Sequence, residues 1–325
     1  MKTLFLNQKN LNLKNTVFSQ GLGGIIYNDD ERVQTGEHLT ISGETFNAKY
    51  APTSDTNLAI TITECIFVNC EDGSLNINNN KISVYITSCL FNSCSAEGGI
   101  IQLQRSRCLT MTHTCTSNIY DKNGNGNIIT MYYDCVQDDF SIILYNTFAQ
   151  SQTKNTGGAS NIQCLSGSQY FRCNNMTTCD CTAYQFDAPY CLSFSMNTVF
   201  DCKSRCLKLS GYKTDQCEIA FNKTIEKVNF FSTSESLLLE GDCPYTVTIQ
   251  DSVLLSKDSD NLIYIQDGKP IKVVLISCIV NKGADASKVS FIDPTSVDYG
   301  TQHLTIMPHY TTELCPGTKL EKPPS

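Results

Sequence analysis

The sequence has no tryptophan and only four histidines in 325 residues, and charged residues make up 17% of it. Its 24 Lys and Arg residues are outnumbered by 32 Asp and Glu residues, which gives a net charge of −8. Binding to nucleic acids and to anionic membrane surfaces depends largely on clustered basic residues. We therefore expect neither nucleic acid nor a membrane surface among the partners of this chain.

Long apolar runs are also missing, because none approaches the roughly 20 residues of a membrane-spanning helix. Met1–Leu6 begins like a signal peptide, but polar residues from Asn7 onward end the apolar run. A signal peptide needs an apolar region of about 7–15 residues. We expect a soluble chain without an export signal and without direct membrane insertion, or a chain whose ends have been lost.

No stretch in the body of the chain keeps a helical apolar period over the about 10–12 residues that would indicate a helix. Apolar and polar residues instead alternate in short runs rich in Ile, Val and Thr, and the gaps between runs are rich in Asn, Ser and Gly. This pattern is typical of β-strands joined by turns. The sequence therefore predicts an all-β protein.

One stretch of the chain occurs twice. Residues 60–70 and 84–94 share the same apolar alternation, the same Phe and both Cys, 24 residues apart. Such repeats indicate a solenoid, whose units are stable only when they stack. A large apolar residue that anchors the repeat recurs about every 26 residues. The anchors are Phe18, Phe46, Phe67, Phe91, Thr116, Phe148, Met176, Val199, Phe230, Leu254 and Val280, of which Thr116 is the weakest match and marks a degenerate repeat.

Each anchor is followed by a second apolar strand, as at Gly98–Leu103 and Leu262–Ile265. The repeat predicts a single parallel β-helix of about eleven coils of about 26 residues, stacked about 4.8 Å apart. We assign residues 1–293 to this repeat domain and residues 294–325 to a C-terminal strand and a Pro-containing tail. The exposed ends of such a stack favour association with other molecules.

Two motifs in the repeat resemble those of a known family. A Gly-Gly-apolar-apolar element occurs at Gly23–Ile26 and Gly98–Ile101, and a Phe-x-x-Cys step occurs at Phe67–Cys70 and Phe91–Cys94. Over about residues 11–292, the chain resembles the Cys-rich, polymorphic-outer-membrane-protein-type repeat surface proteins of trichomonad-like protists. The resemblance implies a right-handed parallel β-helix of the pectin-lyase-like superfamily and a cell-surface or adhesive role. It implies no enzymatic activity.

The 18 cysteines fall partly into columns when the repeats are aligned on their anchors. One column holds Cys65, Cys89, Cys278 and, one place out of register, Cys173; the other holds Cys70, Cys94, Cys179 and Cys202. Stacked Cα atoms about 4.8 Å apart are within disulfide range, so Cys65–Cys89 and Cys70–Cys94 are candidate disulfides under oxidising conditions. The alternative is that small thiols fill tight corners of the core and stay reduced. No Cys-x-x-Cys pair occurs, and we expect no metal site.

Carbohydrate chemistry is the enzymatic alternative for this fold. The acidic pairs Asp29–Asp30 and Asp138–Asp139 lie in polar loop contexts, and nothing ties them to a second carboxylate at matched spacing. The Asn-Thr-Asp, Gly-His-Gly and Arg-Ile-Lys elements of pectin hydrolases are absent. The histidines are scattered at positions 38, 113, 303 and 309. We expect solvated loop acids, no catalytic residues and no cofactor.

Two sequons, Asn175-Met176-Thr177 and Asn222-Lys223-Thr224, are candidate N-glycosylation sites if the chain is exported. Asn175 precedes an inward anchor and is expected to face outwards. Taken together, the sequence predicts a non-enzymatic structural or adhesive module that presents loops from a rigid rod to an unknown protein or glycan at a cell surface. The alternative is a polysaccharide lyase or glycoside hydrolase, or a carbohydrate-binding derivative of one. A gene fragment without function is a third interpretation.

Overall fold

Short runs of alternating residues become short strands in the structure, and polar positions between them become corners. The computed structural model describes residues 7–14, 17–19, 26–29, 33–37, 40–42, 46–47, 58–63, 66–70, 74–78, 82–122, 128–133, 139–153, 160–211, 221–242, 244–266, 270–283 and 287–297. In this part of the chain every strand pairing is parallel, and the strands form three long sheets. The fold is an all-β parallel β-solenoid, as predicted.

The first sheet has 12 strands. These are β1 (Asn7–Lys14), β4 (Val33–Glu37), β7 (Leu58–Thr63), β10 (Ile82–Thr87), β14 (Cys108–Thr112), β17 (Phe140–Leu144), β20 (Ser168–Arg172), β23 (Cys191–Ser195), β26 (Phe221–Glu226), β29 (Tyr245–Gln250), β32 (Ile271–Ile276) and β34 (Val289–Ile292).

The second sheet has 13 strands. These are β2 (Val17–Ser19), β5 (Thr40–Ser42), β8 (Ile66–Val68), β11 (Leu90–Asn92), β12 (Ser95–Ala96), β15 (Cys115–Asp121), β18 (Thr147–Thr153), β21 (Asn175–Cys179), β24 (Thr198–Cys202), β27 (Asn229–Ser232), β30 (Val253–Ser256), β33 (Ile279–Val280) and β35 (Thr295–Ser296).

The third sheet has 10 strands. These are β3 (Ile26–Asp29), β6 (Phe46–Asn47), β9 (Leu75–Asn78), β13 (Ile101–Gln104), β16 (Ile129–Tyr132), β19 (Ser160–Leu165), β22 (Thr182–Asp187), β25 (Leu207–Gly211), β28 (Leu237–Gly241) and β31 (Ile263–Ile265).

The chain visits the three sheets in turn, and from β10 to β31 it makes about seven regular turns of about 26 residues. The predicted eleven coils are too many, because regular winding does not extend to the ends. Strand β1 lies between β4 and β7, out of chain order. The anchor assigned to Phe46 is also wrong, since Phe46 pairs with Ile26 in the third sheet and Phe18 pairs with Ile41. At the other end, the described residues after β31 add strands only to the first and second sheets.

The core of the solenoid is built on the anchor column, which is otherwise confirmed. The backbone register stacks Phe18, Phe67, Phe91, Thr116, Phe148, Met176, Val199, Phe230, Leu254 and Val280 on successive strands of the second sheet. From Phe67 onward these side chains are buried. The rings of Phe67 and Phe91 stack at a centroid distance of 4.4 Å. Stacking lets each coil bury apolar area that it could not bury alone.

The corner between the first and second sheets is the same in successive coils. Its first residue has a positive φ, such as 54° at Ser88, 51° at His113 and 59° at Tyr145. A left-handed conformation costs a non-glycine residue about 1–2 kcal/mol. The next residue points into the core, and its hydrogen bonds hold the corner in place. Among the described residues there is no helix with the length and apolar character needed to cross a membrane.

Candidate binding faces

The outer face of the first sheet carries exposed aromatic and aliphatic side chains. Tyr85, Thr110, Ile142 and Tyr170 occupy one column on β10, β14, β17 and β20. Each tyrosine is 40% exposed, and Ile142 is half-buried between them. Phe140 and Leu144 flank Ile142 on the same strand face, because side chains alternate along a strand. We call these six side chains the tyrosine strip.

Each tyrosine of this strip has a cysteine as its diagonal neighbour on the next coil. Tyr85 contacts the thiol of Cys108, and Tyr170 contacts that of Cys191. Partial burial, followed by the interaction with the neighbouring thiol, raises the pKa of both phenols above their usual value. Both tyrosines therefore stay neutral at physiological pH. This Tyr–Cys pair occurs twice, at positions three coil spacings apart, so the strip has a regular pattern.

Part of the outer face of the third sheet is polar. The amide of Gln185 donates a hydrogen bond to the carboxylate of Asp187 at 2.7 Å, and Gln163 on the preceding coil donates to the same oxygen at 3.5 Å. The Lys208 ammonium, one coil further on, and the Glu240 carboxylate, two coils further on, are 2.8 Å apart. Amides, carboxylates and an ammonium therefore share one face.

The inward corner residues form a hydrogen-bonded column. The amide of Asn146 donates to the carbonyls of Leu144, two residues earlier, and Met111, one coil earlier, at 2.9 and 3.0 Å. Cys89 does the same with its thiol, which donates to Thr87 and Ile62 at 3.3 and 3.5 Å. This column contains Cys89, Thr114, Asn146, Asn174, Asn197, Val228, Ser252 and Cys278, all buried.

The column also connects coils through the backbone. The N–H groups of Thr114, Asn146 and Asn174 each donate to the side-chain oxygen of the corner Asn in the next coil, at 2.9–3.1 Å. Cys173 is not a member of the column, because it is the positive-φ residue before Asn174. The displacement by one place that the sequence alignment showed is therefore real, and an asparagine fills the inward position.

The residues of the second predicted cysteine column are in register in the part of the chain that the structure describes. Cys179 and Cys202 are paired on β21 and β24, and the thiols of Cys70 and Cys94 contact one another. The hydrogen bond with Cys94, followed by burial, raises the pKa of Cys70. Both pairs are buried free thiols, as is Cys89. Cys65 lies outside the described residues. The two predicted disulfides therefore stay predictions.

The other predicted site residues are dispersed. Asp139 is half-buried, and the carbonyl of Asp139 accepts a hydrogen bond from Ser168 N–H at 2.8 Å. His113 is exposed and stacks on Tyr145 at 5.2 Å. Asp30, Asp138, His38, His303 and His309 lie outside the described residues, as does the side chain of Asp29. In the part of the chain that the structure describes, no group of three or more His, Cys, Asp or Glu side chains could hold a metal ion.

The sequon residues differ in what the structure shows. Asn175 is only 5% exposed, at the start of β21 on the outer face of the second sheet. A glycan attached to Asn175 would therefore require this face to be exposed to solvent. The side chain of Asn222 is not described. Glycosylation at either position stays a prediction.

The architecture defines a parallel β-solenoid protein with filled interior and distinct outer faces. Comparison with known proteins finds no matching family model, no similar curated protein and no similar solved structure. Sequence reasoning missed the tyrosine strip, the polar face and the corner asparagines. The signal for the asparagines was present, because Asn146, Asn174 and Asn197 each lie two residues before an anchor.

Proposed function

We propose that this protein is a non-enzymatic structural and adhesive module that binds a protein partner through the tyrosine strip. The supporting observation is the pair of 40%-exposed tyrosines, Tyr85 and Tyr170, on either side of half-buried Ile142. Tyrosine supplies a large, rigid contact area at low conformational cost, and contiguous exposed apolar groups on soluble proteins mark interaction sites. The two tyrosines are three coil spacings apart, or about 14 Å.

The rigidity of the face favours this role. Every strand under the strip is paired on both sides, so the strip needs little ordering when it binds. Preorganised surfaces lose less entropy on association. The interior is filled by side chains, which leaves outer faces and loops as the surfaces for partners.

The test is surface plasmon resonance of the full-length protein on immobilised collagen and laminin, with the double variant Tyr85→Ser/Tyr170→Ser. Loss of two aromatic contacts should weaken binding at least about 30-fold, because central aromatic contacts contribute about 2 kcal/mol or more. The matched control is Tyr264→Ser, which removes a tyrosine of similar exposure, 43%, from the third sheet. Equal binding by the double variant and the wild type, or no binding to either protein, would refute the proposal.

A second candidate function is polysaccharide binding or cleavage on the polar outer face of the third sheet. Asp187, Ser210 and Glu240 form one column, so the two acids are two coil spacings, or about 10 Å, apart. Inverting glycosidases place their carboxyl groups about 6.5–9.5 Å apart. Incubation with polygalacturonan and xylan, read as new reducing ends and as unsaturated products, tests this candidate. Activity that is lost in Asp187→Asn and Glu240→Gln would favour it over the adhesive module.

Two finer features belong to the same proposal. We propose a right-handed winding, because crossover connections between parallel strands of one sheet are right-handed in about 98% of cases. We also propose that the protein is located at a cell surface. This proposal follows only from the resemblance of its motifs to those of Cys-rich repeat surface proteins. An experimental structure and localisation of the tagged full-length protein test these features.

A further inference from the structure

One inward position of the first sheet holds a lysine. Lys223 on β26 pairs with Val247 of β29, which is 0% exposed, and it alternates along its strand with Ile225, which is also 0% exposed. Lys223 itself is 6% exposed. Lysine is seldom buried to this extent, because an ammonium group loses its hydration in the core of a protein. A lysine at this position therefore carries a cost that an apolar residue would not carry.

The nitrogen of this lysine lies at the corner between the third and first sheets. It donates hydrogen bonds to the backbone carbonyls of Pro189 and Tyr190, at 3.3 and 3.4 Å. Both carbonyls belong to the corner of the preceding coil, between β22 and β23. A neutral amine has two N–H groups and one lone pair. Because the two carbonyls can accept both N–H groups, the lone pair points away from them.

At the same corner, Lys223 lines a pocket that is partly open to the surface and has a volume of about 230 Å³. The other lining residues are Pro189, Leu209, Ser210, Gly211 and Tyr245. The hydroxyl of Tyr245 donates to the carbonyls of Leu209 and Glu240 at 3.3 and 3.1 Å, which fixes its ring as one wall. Pockets for drug-sized ligands measure about 300–1,000 Å³, so this pocket suits a smaller molecule.

The surroundings of the amine favour an uncharged ligand over an anion. Burial lowers the pKa of Lys223 from 10.5 to about 8, and the interaction with Cys191 partly opposes this. At pH 7 such an amine is unprotonated about 200-fold more often than a lysine with the ordinary pKa of about 10.4. A desolvated, unprotonated lysine beside an apolar pocket is a nucleophile towards carbonyl compounds.

We propose that Lys223 is a covalent binding site for a short apolar aldehyde, which the pocket holds beside the lysine nitrogen. The nitrogen attacks the aldehyde carbon and forms a C–N bond. The bond between the aldehyde carbon and its oxygen breaks, and the oxygen leaves with the two amine hydrogens as water. The product is an imine, and the reaction consumes no oxidant or reductant. A protonated imine keeps one N–H group, which can still donate to the carbonyl of Pro189 or Tyr190.

The walls of the pocket define the class of aldehyde. The side chain of Leu209 and the ring of Tyr245 offer apolar contacts to a short carbon chain, and the volume leaves no room for a large one. The site lies at a corner of the solenoid, whereas the tyrosine strip lies on the outer face of the first sheet. The two proposals are therefore independent of one another.

The first test is reductive trapping on the full-length protein with butanal at pH 7. Sodium cyanoborohydride delivers a hydride to the imine carbon and fixes the adduct as a secondary amine, which peptide mass spectrometry locates. Lys223 should be modified at least about 30-fold faster than Lys272, an exposed lysine of the same sheet. This ratio is smaller than that of the unprotonated fractions, because a less basic amine is also a weaker nucleophile. Equal or faster modification of Lys272 would refute the proposal.

The second test separates a binding pocket from an amine that is merely reactive. The rate at Lys223 should saturate with butanal concentration, whereas the rate at Lys272 should rise in proportion to it. 1-Butanol has the same carbon chain without the carbonyl group, so it should slow modification of Lys223 and leave Lys272 unchanged. In the control variant Lys223→Met, saturable modification should disappear while Lys272 reacts as before. A rate at Lys223 that is proportional to butanal concentration and insensitive to 1-butanol would overturn the assignment.

Discussion

Substitution of Asn174 tests whether the corner column holds successive coils together. Its side-chain amide donates to the Ile143 carbonyl at 2.7 Å, and its side-chain oxygen accepts from the backbone N–H of Asn146 at 3.1 Å. All three residues are 0% exposed. In Asn174→Ala the backbone N–H of Asn146 loses this acceptor, and the Ile143 carbonyl loses the amide donor, in a place that water does not reach.

The cost can be worked out from these two groups. A buried donor left without a partner costs about 1–3 kcal/mol and a lost hydrogen bond about 1 kcal/mol, so Asn174→Ala should lose about 2–4 kcal/mol. The matched control is Asn174→Thr. Thr114 already serves in this column, where its hydroxyl donates to the Thr112 carbonyl at 3.1 Å and accepts from the N–H of Cys89 at 3.4 Å. Asn174→Thr should therefore cost only about 1 kcal/mol.

Native-state hydrogen exchange is the appropriate assay, because the coils of a solenoid interact mainly with their neighbours and unfolding need not be two-state. In Asn174→Ala, the Asn146 amide should exchange at least about 30-fold faster, since about 1.4 kcal/mol corresponds to a factor of ten. Amides of the distant strand Tyr245–Gln250 should not change. If the alanine and threonine variants are equally stable, the column does not connect the coils as we describe.

Three further predictions concern the core, a backbone position and a buried charge. Phe91→Ala should lower the free energy of unfolding in urea by about 3–5 kcal/mol, because its ring is fully buried; a loss below about 1 kcal/mol would contradict the stacked core. Gly241→Ala should abolish folding, because φ is +124° at Gly241 and an added Cβ would overlap the Gly211 backbone. Loss of the β-sheet circular dichroism signal would show this. Gly283→Ala is the control and should fold normally, because a Cβ at Gly283 meets nothing within 4 Å. Burial lowers the pKa of Lys223 from 10.5 to about 8, so between these pH values the unfolded chain binds a proton that the folded chain does not. As pH rises through this window, the free energy of unfolding of the wild type should therefore increase by up to about 3 kcal/mol relative to that of Lys223→Met. Urea unfolding at a series of pH values measures this difference, and an equal dependence of the unfolding free energy on pH in the two proteins would refute the prediction.

Much of the fold could be predicted from the sequence, because an inward column repeats its chemistry on every coil. The anchors from Phe67 to Val280 were placed in their observed register, even at Thr116, where the large apolar residue is missing. The prediction failed at the N-terminal end, where β1 lies between β4 and β7. The repeat period alone specifies which residues of successive coils lie in one column. It does not specify the order in which the coils stack.

The candidate faces could not be predicted in the same way, because outward columns are under no packing constraint that repeats. Tyr85, Thr110, Ile142 and Tyr170 are of three different residue types, and only the strand register shows that they are neighbours. The burial of Phe231, Val253 and Leu255 on the outer face of the second sheet likewise has no signal in the repeat itself.

The corner column explains why a cysteine repeat in this sequence need not signal disulfides. The thiols of Cys89 and Cys278 each donate to two carbonyls at 3.3–3.5 Å, as the amide of Asn146 does at the same position. A disulfide sulfur has no proton to donate, so oxidation would remove one hydrogen bond from each of these carbonyls, at about 1 kcal/mol each. Closing a loop of about 25 residues contributes about 3 kcal/mol, which is of the same size. Seven of the eight corner residues named above are therefore hydrogen-bond donors, of the types Cys, Thr, Ser and Asn, and Val228 is the exception.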